Sequence, residues 1–205
     1  MREHTTTLIF GSSIAKRMDA KRLAGRSENL VINLAKGGAK IPDVMKDMDS
    51  FFAGEHEYFN SEDAVSINLL DIKSVIISIG TNDILSSPRN VNRFFIPLQN
   101  LLRKAKLLFN CQVHFQSVVP IPSQPKHVAD GVYTFNSLAV KACKSERCFY
   151  LDVFNKFLYC SSFAQFFNVK REGVCDIHPN RRGQGIIARA FIGVVRDHFD
   201  PLSRL

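Results

Sequence analysis

Short, continuously apolar segments alternate with longer segments of helical spacing along most of this 205-residue chain. The strand-like segments are Thr5–Phe10, Leu30–Leu34, Ser74–Ile79, Cys111–Val119 and Cys148–Val153. The helical segments are Ser13–Leu23, Pro42–Phe52, Val91–Leu108, Val132–Lys144 and Gly183–Phe199. Strands that are apolar along their whole length are buried on both faces, which happens when helices cover both sides of a parallel sheet. The pattern predicts a single α/β domain over residues 1–205, a three-layer sandwich with a five-stranded parallel sheet in the middle.

Composition indicates the class of protein and its expected cellular location. Hydrophobic residues make up 45% and charged residues 22% of the chain, which is typical of a globular protein. Because no stretch of about 18 apolar residues occurs, we expect no transmembrane segment. No apolar run flanked by a cleavage site follows the N-terminal Met-Arg-Glu-His-Thr-Thr-Thr, so we expect no secretory signal peptide. The five cysteines include no Cys-x-x-Cys pair, which argues against a disulfide framework and a zinc site. We therefore expect an intracellular, cytoplasmic location.

Three glycine-containing turns follow the first three predicted strands. Gly11 precedes Ser13 after the first strand, Gly38 follows the second, and Gly80 precedes Asn82 after the third. The carboxyl ends of parallel strands lie at one edge of the sheet, and ligands of such folds bind there. Glycines alone mark only tight turns. Together with their polar neighbours, these turns predict a functional site at that edge.

The polar residues of these turns are those that acyl transfer requires. The reaction needs a nucleophile, a base that takes its proton, and donors for the developing oxyanion. Ser13 lies at a strand-to-helix turn, and His178 precedes the last predicted helix. The amides of Ser13 and Gly38 and the side chain of Asn82 are candidate donors. In the alternative interpretation Ser13 and His178 are only helix N-caps, or His178 is an exposed loop residue.

Taken together, these motifs resemble those of the SGNH, or GDSL-type, serine esterase family. Gly11-Ser12-Ser13-Ile14 is similar to the first block, Gly38 to the second-block glycine, Gly80-Thr81-Asn82-Asp83 to the third block, and Asp176-Ile177-His178-Pro179-Asn180 to the last block. The resemblance extends from residue 8 to about residue 195. It implies a flavodoxin-like fold that hydrolyses carboxylic esters of lipids, small acyl groups or sugar acetates without a metal or an organic cofactor.

The resemblance also implies roles for individual residues. Ser13 would be the nucleophile and His178 the general base. The Ser13 amide, Gly38 and Asn82 would form the oxyanion hole, and an ester would be the substrate.

Two positions depart from the family pattern. Ser12 replaces an aspartate that supports the turn. Cys175 occupies the position of the triad acid, three residues before the histidine, and Asp176 lies only two residues before His178. In an extended loop, a shift by one residue turns a side chain to a different side. Two alternatives remain open: Asp176 reaches the imidazole if the loop bulges, or Ser13 and His178 act as a weak or inactive dyad.

A narrower resemblance concerns the esterase-like domain in the first-reading-frame protein of LINE-type retrotransposons, and related viral or animal SGNH proteins. It rests on the Gly-Ser-Ser block, on Pro120-Ile121-Pro122, and on His178-Pro179-Asn180-Arg181-Arg182-Gly183. Part of the formal net charge of +8 can be assigned to one region of the protein, because basic residues flank the predicted turns. We call them the basic rim: Lys16, Arg17, Lys36, Lys40, Arg181 and Arg182.

The basic rim suggests a second function. A weakly active or inactive scaffold could bind RNA, DNA or an anionic membrane through it. Alternatively, the rim is only a solvated surface.

The phenylalanines that follow the fifth strand also have two interpretations. They are either core residues or an apolar lip that binds an acyl chain, and they are Phe154, Phe157, Phe163, Phe166 and Phe167.

Overall fold

A computed structural model describes residues 5–25, 29–61, 67–159, 162–169 and 175–197. Its strands are β1 (Thr6–Gly11), β2 (Leu30–Asn33), β3 (Ile72–Ser78), β4 (Gln112–Gln116), β5 (Phe149–Leu151), β6 (Phe167–Val169) and β7 (Cys175–Pro179). Its α-helices are α1 (Ser13–Lys16), α2 (Ala20–Ala24), α3 (Ile41–Phe52), α4 (Thr81–Ser86), α5 (Phe95–Phe109), α6 (Lys126–Glu146), α7 (Phe154–Leu158) and α8 (Arg181–Asp197). Short 3₁₀ helices occupy Glu57–Asn60, Leu69–Asp71, Val91–Phe94 and Phe163–Phe166.

Five strands form one parallel sheet in the order β2-β1-β3-β4-β5. This order is that of flavodoxin-like folds, in which ligands bind where the strand order reverses. Here the reversal lies at β1, between β2 and β3, because β1 comes first in the chain and the later strands add outward from β3. The predicted α/β class and the five-stranded parallel sheet are therefore confirmed.

Helices cover the sheet on both faces, as the apolar strands predict. Along β1, Leu8 and Phe10 belong to one core cluster, whereas Ile9 belongs to the other. The first cluster contains residues of α3, α5 and α6, and the second contains residues of α1, α2 and α8. Since successive strand residues point to opposite faces, this assignment is the alternation expected of a sheet buried on both sides.

The predicted helix over Ser13–Leu23 is wrong in one respect, because it is two helices. The chain leaves α1 after Lys16, and α2 begins at Ala20 with Asp19 as its N-cap. The side chain of Asn33 on β2 donates to the carbonyls of Ala15 and Met18, at 2.8 Å each. The Ala15 carbonyl also accepts from the Met18 amide at 2.9 Å, and Met18 lies beyond the end of α1, so Asn33 adds bonds that hold the connection between the two helices.

A second, two-stranded antiparallel sheet was not predicted. It pairs β6 with β7, with Phe167 opposite Pro179. The nearby phenylalanines mainly pack into the core: Phe154, Phe157 and Phe167 are buried, whereas Phe163 and Phe166 are half-buried and contact the second cluster. The interpretation as core residues therefore fits these side chains. β7 is the strand that carries the last motif, so this small sheet decides where His178 lies.

Two further boundaries differ from the prediction. The segment over Val91–Leu108 begins as a 3₁₀ helix and becomes α5 only at Phe95. The last predicted helix ends at Phe199, but residues 198–199 lie outside the described residues. Within the described ranges, no helix is both long enough and apolar enough to span a membrane.

Candidate active site

Ser13 is the first residue of α1 and directly follows the end of β1. The Ser12 amide donates to the Ser78 carbonyl at the end of β3, at 3.0 Å. A Cβ atom on Gly11 would lie 2.2 Å from that same carbonyl oxygen, so this approach requires glycine. Ser12, not Ser13, occupies the N-cap position. The N-cap interpretation of Ser13 is therefore wrong.

The Ser13 hydroxyl instead contacts His178. Its Oγ lies 2.9 Å from Nε2 of the imidazole, and Nδ1 of the same ring lies 3.2 Å from Oδ1 of Asp176. If the hydroxyl donates to Nε2, then Nδ1 carries the ring proton and donates to the carboxylate. The His178 and Asp176 side chains are 19% and 24% exposed, so the chain of contacts is largely shielded but open to a ligand at one side.

The position of Asp176 follows from β7. His178 and Asp176 lie two residues apart on this strand. The pairing of β7 is irregular here, because the two steps from Phe167 to Val169 on β6 match the four steps from Pro179 to Cys175 on β7. Of the two alternatives left open by the sequence, the contact with the ring agrees with the one in which a bulge lets Asp176 reach the imidazole.

The electrostatics of Asp176 are consistent with an ionised acid. Burial disfavours the carboxylate, but the charge of a protonated His178, hydrogen bonds from the backbone amides of Ile177 and His178, and the bond from the ring outweigh it. The pKa of Asp176 therefore lies below its ordinary value. An ionised carboxylate beside Nδ1 favours the tautomer in which Nε2 is free to accept a proton.

The three glycine turns are joined by hydrogen bonds. The Lys36 amide donates to the Gly11 carbonyl at 2.9 Å, which fixes the second turn to the first. Nδ2 of Asn82 donates to the Ala39 carbonyl at 2.9 Å, which fixes the third turn to the second. The predicted convergence of these turns at one edge of the sheet is therefore present. Ser13, Gly38 and Asn82 all belong to segments of this connected edge.

The three candidate oxyanion donors have different local settings. Gly38 has a φ of +79°, and nothing lies within 4 Å of an ideal Cβ there, so backbone conformation rather than space requires glycine. Asn82 uses one N–H for Ala39, and its amide group carries a second N–H. The Ser13 amide lies in the first turn of α1, where backbone amides have no intrahelical partner. Each of the three can offer an N–H.

Asp83 was not singled out from the sequence, although it directly follows Asn82. It is 2% exposed, and its Oδ1 accepts from the Ile41 amide at 3.2 Å. Its Oδ2 has no partner among the described residues. Burial raises the pKa of this carboxyl. Asn82 and Asp83 thus hold the chain on both sides of Lys40, and they fix the turn that contains Gly38.

The basic rim is not uniform. Lys36 forms ion pairs with Asp47 at 2.7 Å and Glu57 at 3.5 Å. Burial disfavours its charge, but the hydrogen bond and the charges of these carboxylates outweigh that effect and raise the pKa of Lys36. The other rim residues are exposed and form no ion pair with any described residue; they are Lys16, Arg17, Lys40, Arg181 and Arg182. Lys36 is therefore the rim residue whose charge is already neutralised.

A polar pocket of about 550 Å³ adjoins the second glycine turn. Its lining includes Gly38, Lys36, Asp47 and the buried His56. Charged and polar side chains of this kind suit a hydrophilic group better than an acyl chain. Within the described ranges, no three His, Cys, Asp or Glu side chains are grouped so that they could hold a metal ion.

A flavodoxin-like sheet with a serine, a histidine and an aspartate in contact at its carboxyl edge defines an SGNH-type hydrolase fold. The chain belongs to the GDSL-like Lipase/Acylhydrolase family, whose family model matches residues 10–186. No curated protein matches the sequence.

Solved structures show the same fold at low sequence identity. A lipolytic protein of the G-D-S-L family from Veillonella parvula DSM 2008 is 18% identical, with a TM-score of 0.71 over 98% of this chain and 100% of that one. The lipase/acylhydrolase from Enterococcus faecalis is 17% identical, with a TM-score of 0.70 over 96% and 98%. An acetylxylan esterase from Geobacillus stearothermophilus is 16% identical, with a TM-score of 0.67 over 96% and 97%.

Proposed function

We propose that this protein is a serine esterase that hydrolyses carboxylic esters with Ser13 as nucleophile, His178 as general base and Asp176 as the acid that orients His178. The observation that carries the proposal is the continuous chain of contacts from Ser13 Oγ to Nε2, at 2.9 Å, and from Nδ1 to Asp176, at 3.2 Å. Both distances allow hydrogen bonds, and their order is that of a catalytic triad. Membership of the acylhydrolase family supports the same reaction class.

The first half of the reaction forms an acyl-enzyme. His178 Nε2 takes the proton of Ser13 Oγ as this oxygen attacks the ester carbonyl. The carbonyl oxygen becomes an oxyanion, which accepts hydrogen bonds from the Ser13 amide, the Gly38 amide and Nδ2 of Asn82. When the carbon–oxygen bond to the leaving alcohol breaks, the protonated His178 returns its proton to the alkoxide. The alcohol leaves, and the acyl group stays on Ser13.

The second half of the reaction releases the acid. His178 Nε2 takes a proton from water, and the resulting hydroxide attacks the acyl carbonyl. The same donors stabilise the second oxyanion. Its collapse breaks the bond to Ser13 Oγ, which regains a proton from His178. The polar pocket beside Gly38 is consistent with an ester that has a short acyl group and a hydrophilic remainder.

The test is hydrolysis of p-nitrophenyl acetate, butyrate and octanoate by the wild type, Ser13→Ala and the matched control Ser12→Ala. Of the two serines it is Ser13 whose hydroxyl contacts His178, so Ser13→Ala should abolish turnover while Ser12→Ala keeps most of it. A fluorophosphonate probe should label the wild type at Ser13, as peptide mass mapping would show. Equal rates for wild type and Ser13→Ala would refute the proposal.

The second candidate is a binding scaffold that holds nucleic acid or an anionic membrane through the basic rim, as the retrotransposon-type resemblance predicts. The observation in its favour is that Lys16, Arg17, Arg181 and Arg182 are exposed and have no ion-pair partner among the described residues. Counterion release makes such binding weaker as salt increases. The RNA, DNA or membrane partner remains a prediction from the sequence.

A labelled oligouridine and phosphatidylserine vesicles would test the second candidate separately. Binding should weaken with salt and in the double variant Arg181→Glu/Arg182→Glu, but survive Ser13→Ala. The matched control is Lys141→Glu/Lys144→Glu, which changes the same charge on two exposed positions of α6. Binding that is indifferent to salt, or equally weakened by both double variants, would contradict a role of the rim.

A further inference from the structure

Asp176 and His178 lie on a part of the fold that is separate from Ser13. Ser13 follows β1 in the five-stranded sheet, whereas β7 pairs with the three-residue strand β6 and, within the described ranges, with no strand of the large sheet. A two-stranded sheet is at best marginally stable by itself. The 2.9 Å contact between Ser13 and His178 therefore depends on how this small sheet is attached to the rest of the protein. Apolar side chains hold the small sheet to the core, since Phe167 of β6 is buried in the second cluster and Ile177 of β7 packs against the first.

Asn180 adds hydrogen bonds at the end of β7. One side of its amide donates from Nδ2 to the carbonyls of Gln165 at 2.8 Å and Phe167 at 3.1 Å. The other side accepts at Oδ1 from the amides of Arg182 at 2.9 Å and Gly183 at 3.2 Å. A side-chain amide has two donor hydrogens and two acceptor lone pairs, so its hydrogen-bonding capacity is completely used.

The backbone of Asn180 continues the same connection. Its amide donates to the Phe166 carbonyl at 2.8 Å, and its carbonyl accepts from the Gln184 amide at 2.8 Å. The first turn of α8 packs directly against this point, since a Cβ atom on Gly183 would lie 2.4 Å from the Phe166 carbonyl oxygen. One residue thus joins the segment that leads into β6, the end of β7 and the start of α8.

Helix α8 provides the rigid support. Its residues Ile187 and Phe191 are fully buried in the cluster that also contains Ile9 of β1 and Ile14, which follows Ser13. Closely packed cores resist displacement. A path of contacts therefore runs from the core around Ser13, through α8 and Asn180, to the end of the strand that carries His178.

We infer that Asn180 is the positioning residue that sets His178 against Ser13, in addition to being the N-cap of α8. This inference rests on the proposed esterase function only for its kinetic consequences. Asn180 lies two residues after His178, and it does not contact Ser13 or a reacting atom. It acts by fixing the end of β7, and thereby both members of the Asp176–His178 pair.

The variant that separates the two roles is Asn180→Asp. An aspartate keeps the oxygen that caps α8 and is an equally good N-cap. It replaces the two donor hydrogens with an acceptor that faces the carbonyls of Gln165 and Phe167. We expect a lower melting temperature, because two carbonyls lose their donors and face an oxygen. Well below that temperature, in the folded protein, we expect an unchanged KM and a kcat lower by about 10- to 100-fold, as for the loss of a group that orients a metal ligand.

The matched control is Asn68→Asp. Asn68 caps the 3₁₀ helix Leu69–Asp71 through its Oδ1, at the opposite edge of the sheet from Ser13. This variant should keep the wild-type kcat. Asn180→Ala removes both the cap and the donors, so it should lower both the melting temperature and kcat. A purely structural role of Asn180 predicts an altered melting temperature with an unchanged kcat for the folded protein, and that result would overturn the inference.

A readout without turnover separates this inference from the proposed function. Proton NMR should detect a nuclear Overhauser contact between the imidazole protons of His178 and the Cβ protons of Ser13 in the wild type and in Asn68→Asp, because Oγ and Nε2 are 2.9 Å apart. This contact should be lost or weakened in Asn180→Asp. If the wild type hydrolyses no ester but the contact behaves in this way, the function fails and the positioning role stands. A contact of unchanged strength in Asn180→Asp, or one absent from the wild type, overturns the positioning role.

Discussion

Oδ1 of Asp176 lies 3.2 Å from Nδ1 of His178, two residues further along β7. Their spacing of two residues differs from the spacing of three in the family pattern. Both residues lie where four steps of β7 match only two steps of β6, so the strand pairing is irregular at this point. The shifted acid therefore reaches the ring from a locally irregular strand.

Replacing Asp176 by Asn should lower kcat strongly while the protein stays folded. The variant loses the negative charge that holds His178 in the tautomer with a free Nε2, and a comparable change in a serine protease triad costs about 10⁴-fold in kcat. Because His178 and Ser13 remain in contact, we expect a loss of about 10²- to 10⁴-fold here. Steady-state hydrolysis of p-nitrophenyl acetate measures it. The control Asp19→Asn, a substitution at the N-cap of α2, should leave kcat unchanged. A dyad that works without Asp176 would instead give wild-type rates.

Asn82→Ala tests the oxyanion hole. Removing one side-chain donor from such a site costs about 10²- to 10³-fold in kcat. The effect should fall on kcat more than on KM, because the donor is aimed at charge that develops in the transition state. Asn92→Ala, at an exposed position of the 3₁₀ helix Val91–Phe94, is the matched control. An unchanged kcat for Asn82→Ala would remove Asn82 from the proposed mechanism.

Gly11→Ala should disrupt the turn that presents Ser13. The new methyl group would lie 2.2 Å from the Ser78 carbonyl oxygen. This oxygen belongs to the backbone of β3, so it can shift only at a large cost in free energy. We expect a loss of about 3 kcal/mol or more in the free energy of unfolding, the upper end of what overpacking costs. Urea denaturation followed by circular dichroism measures it. Gly37→Ala is the matched control, since nothing lies within 4 Å of its added Cβ. Equal midpoints for the two variants would contradict this account of Gly11.

Asp83→Asn should change how stability depends on pH. Because burial raises the pKa of Asp83 in the folded protein, ionising it costs stability as pH rises from the unfolded value through the folded value. This loss of stability is fully present above the pKa of Asp83 in the folded protein and absent below its pKa in the unfolded chain. Asn does not titrate, so the substitution removes the loss. Relative to the wild type, the variant should therefore gain stability as pH rises above the ordinary pKa of an aspartate, until the folded pKa of Asp83 is passed.

Urea denaturation at several pH values measures this effect, with Asp71→Asn at an exposed position as the control. A stability difference between Asp83→Asn and the wild type that does not vary with pH would contradict the raised pKa. Activity gives a second readout, because Asp83 holds the Ile41 amide beside the turn with Gly38. Asn retains an oxygen that can accept from this amide, so kcat should change little.

The candidate site was partly predictable from local sequence. Gly11, Ser13, Gly38 and Asn82 were found because each follows a strand of the predicted sheet, and parallel topology brings the ends of those strands together. Asp83 and Asn180 belong to the third and the last motif block, but no role was predicted for either of them. Their roles come from contacts with the amide of Ile41 and the carbonyls of Gln165 and Phe167, which a motif does not specify.

The sequence by itself determined the five-stranded sheet and the edge at which the site lies, because apolar periodicity and glycine turns are local consequences of burial and backbone geometry. The tertiary structure alone decided how the connection between α1 and α2 is held, because Asn33 of a neighbouring strand donates to the carbonyls of Ala15 and Met18. It also decided that Asp176 faces the His178 ring. That contact depends on the pairing of β7 with β6, a short strand whose partner cannot be recognised without knowing what lies beside it in space.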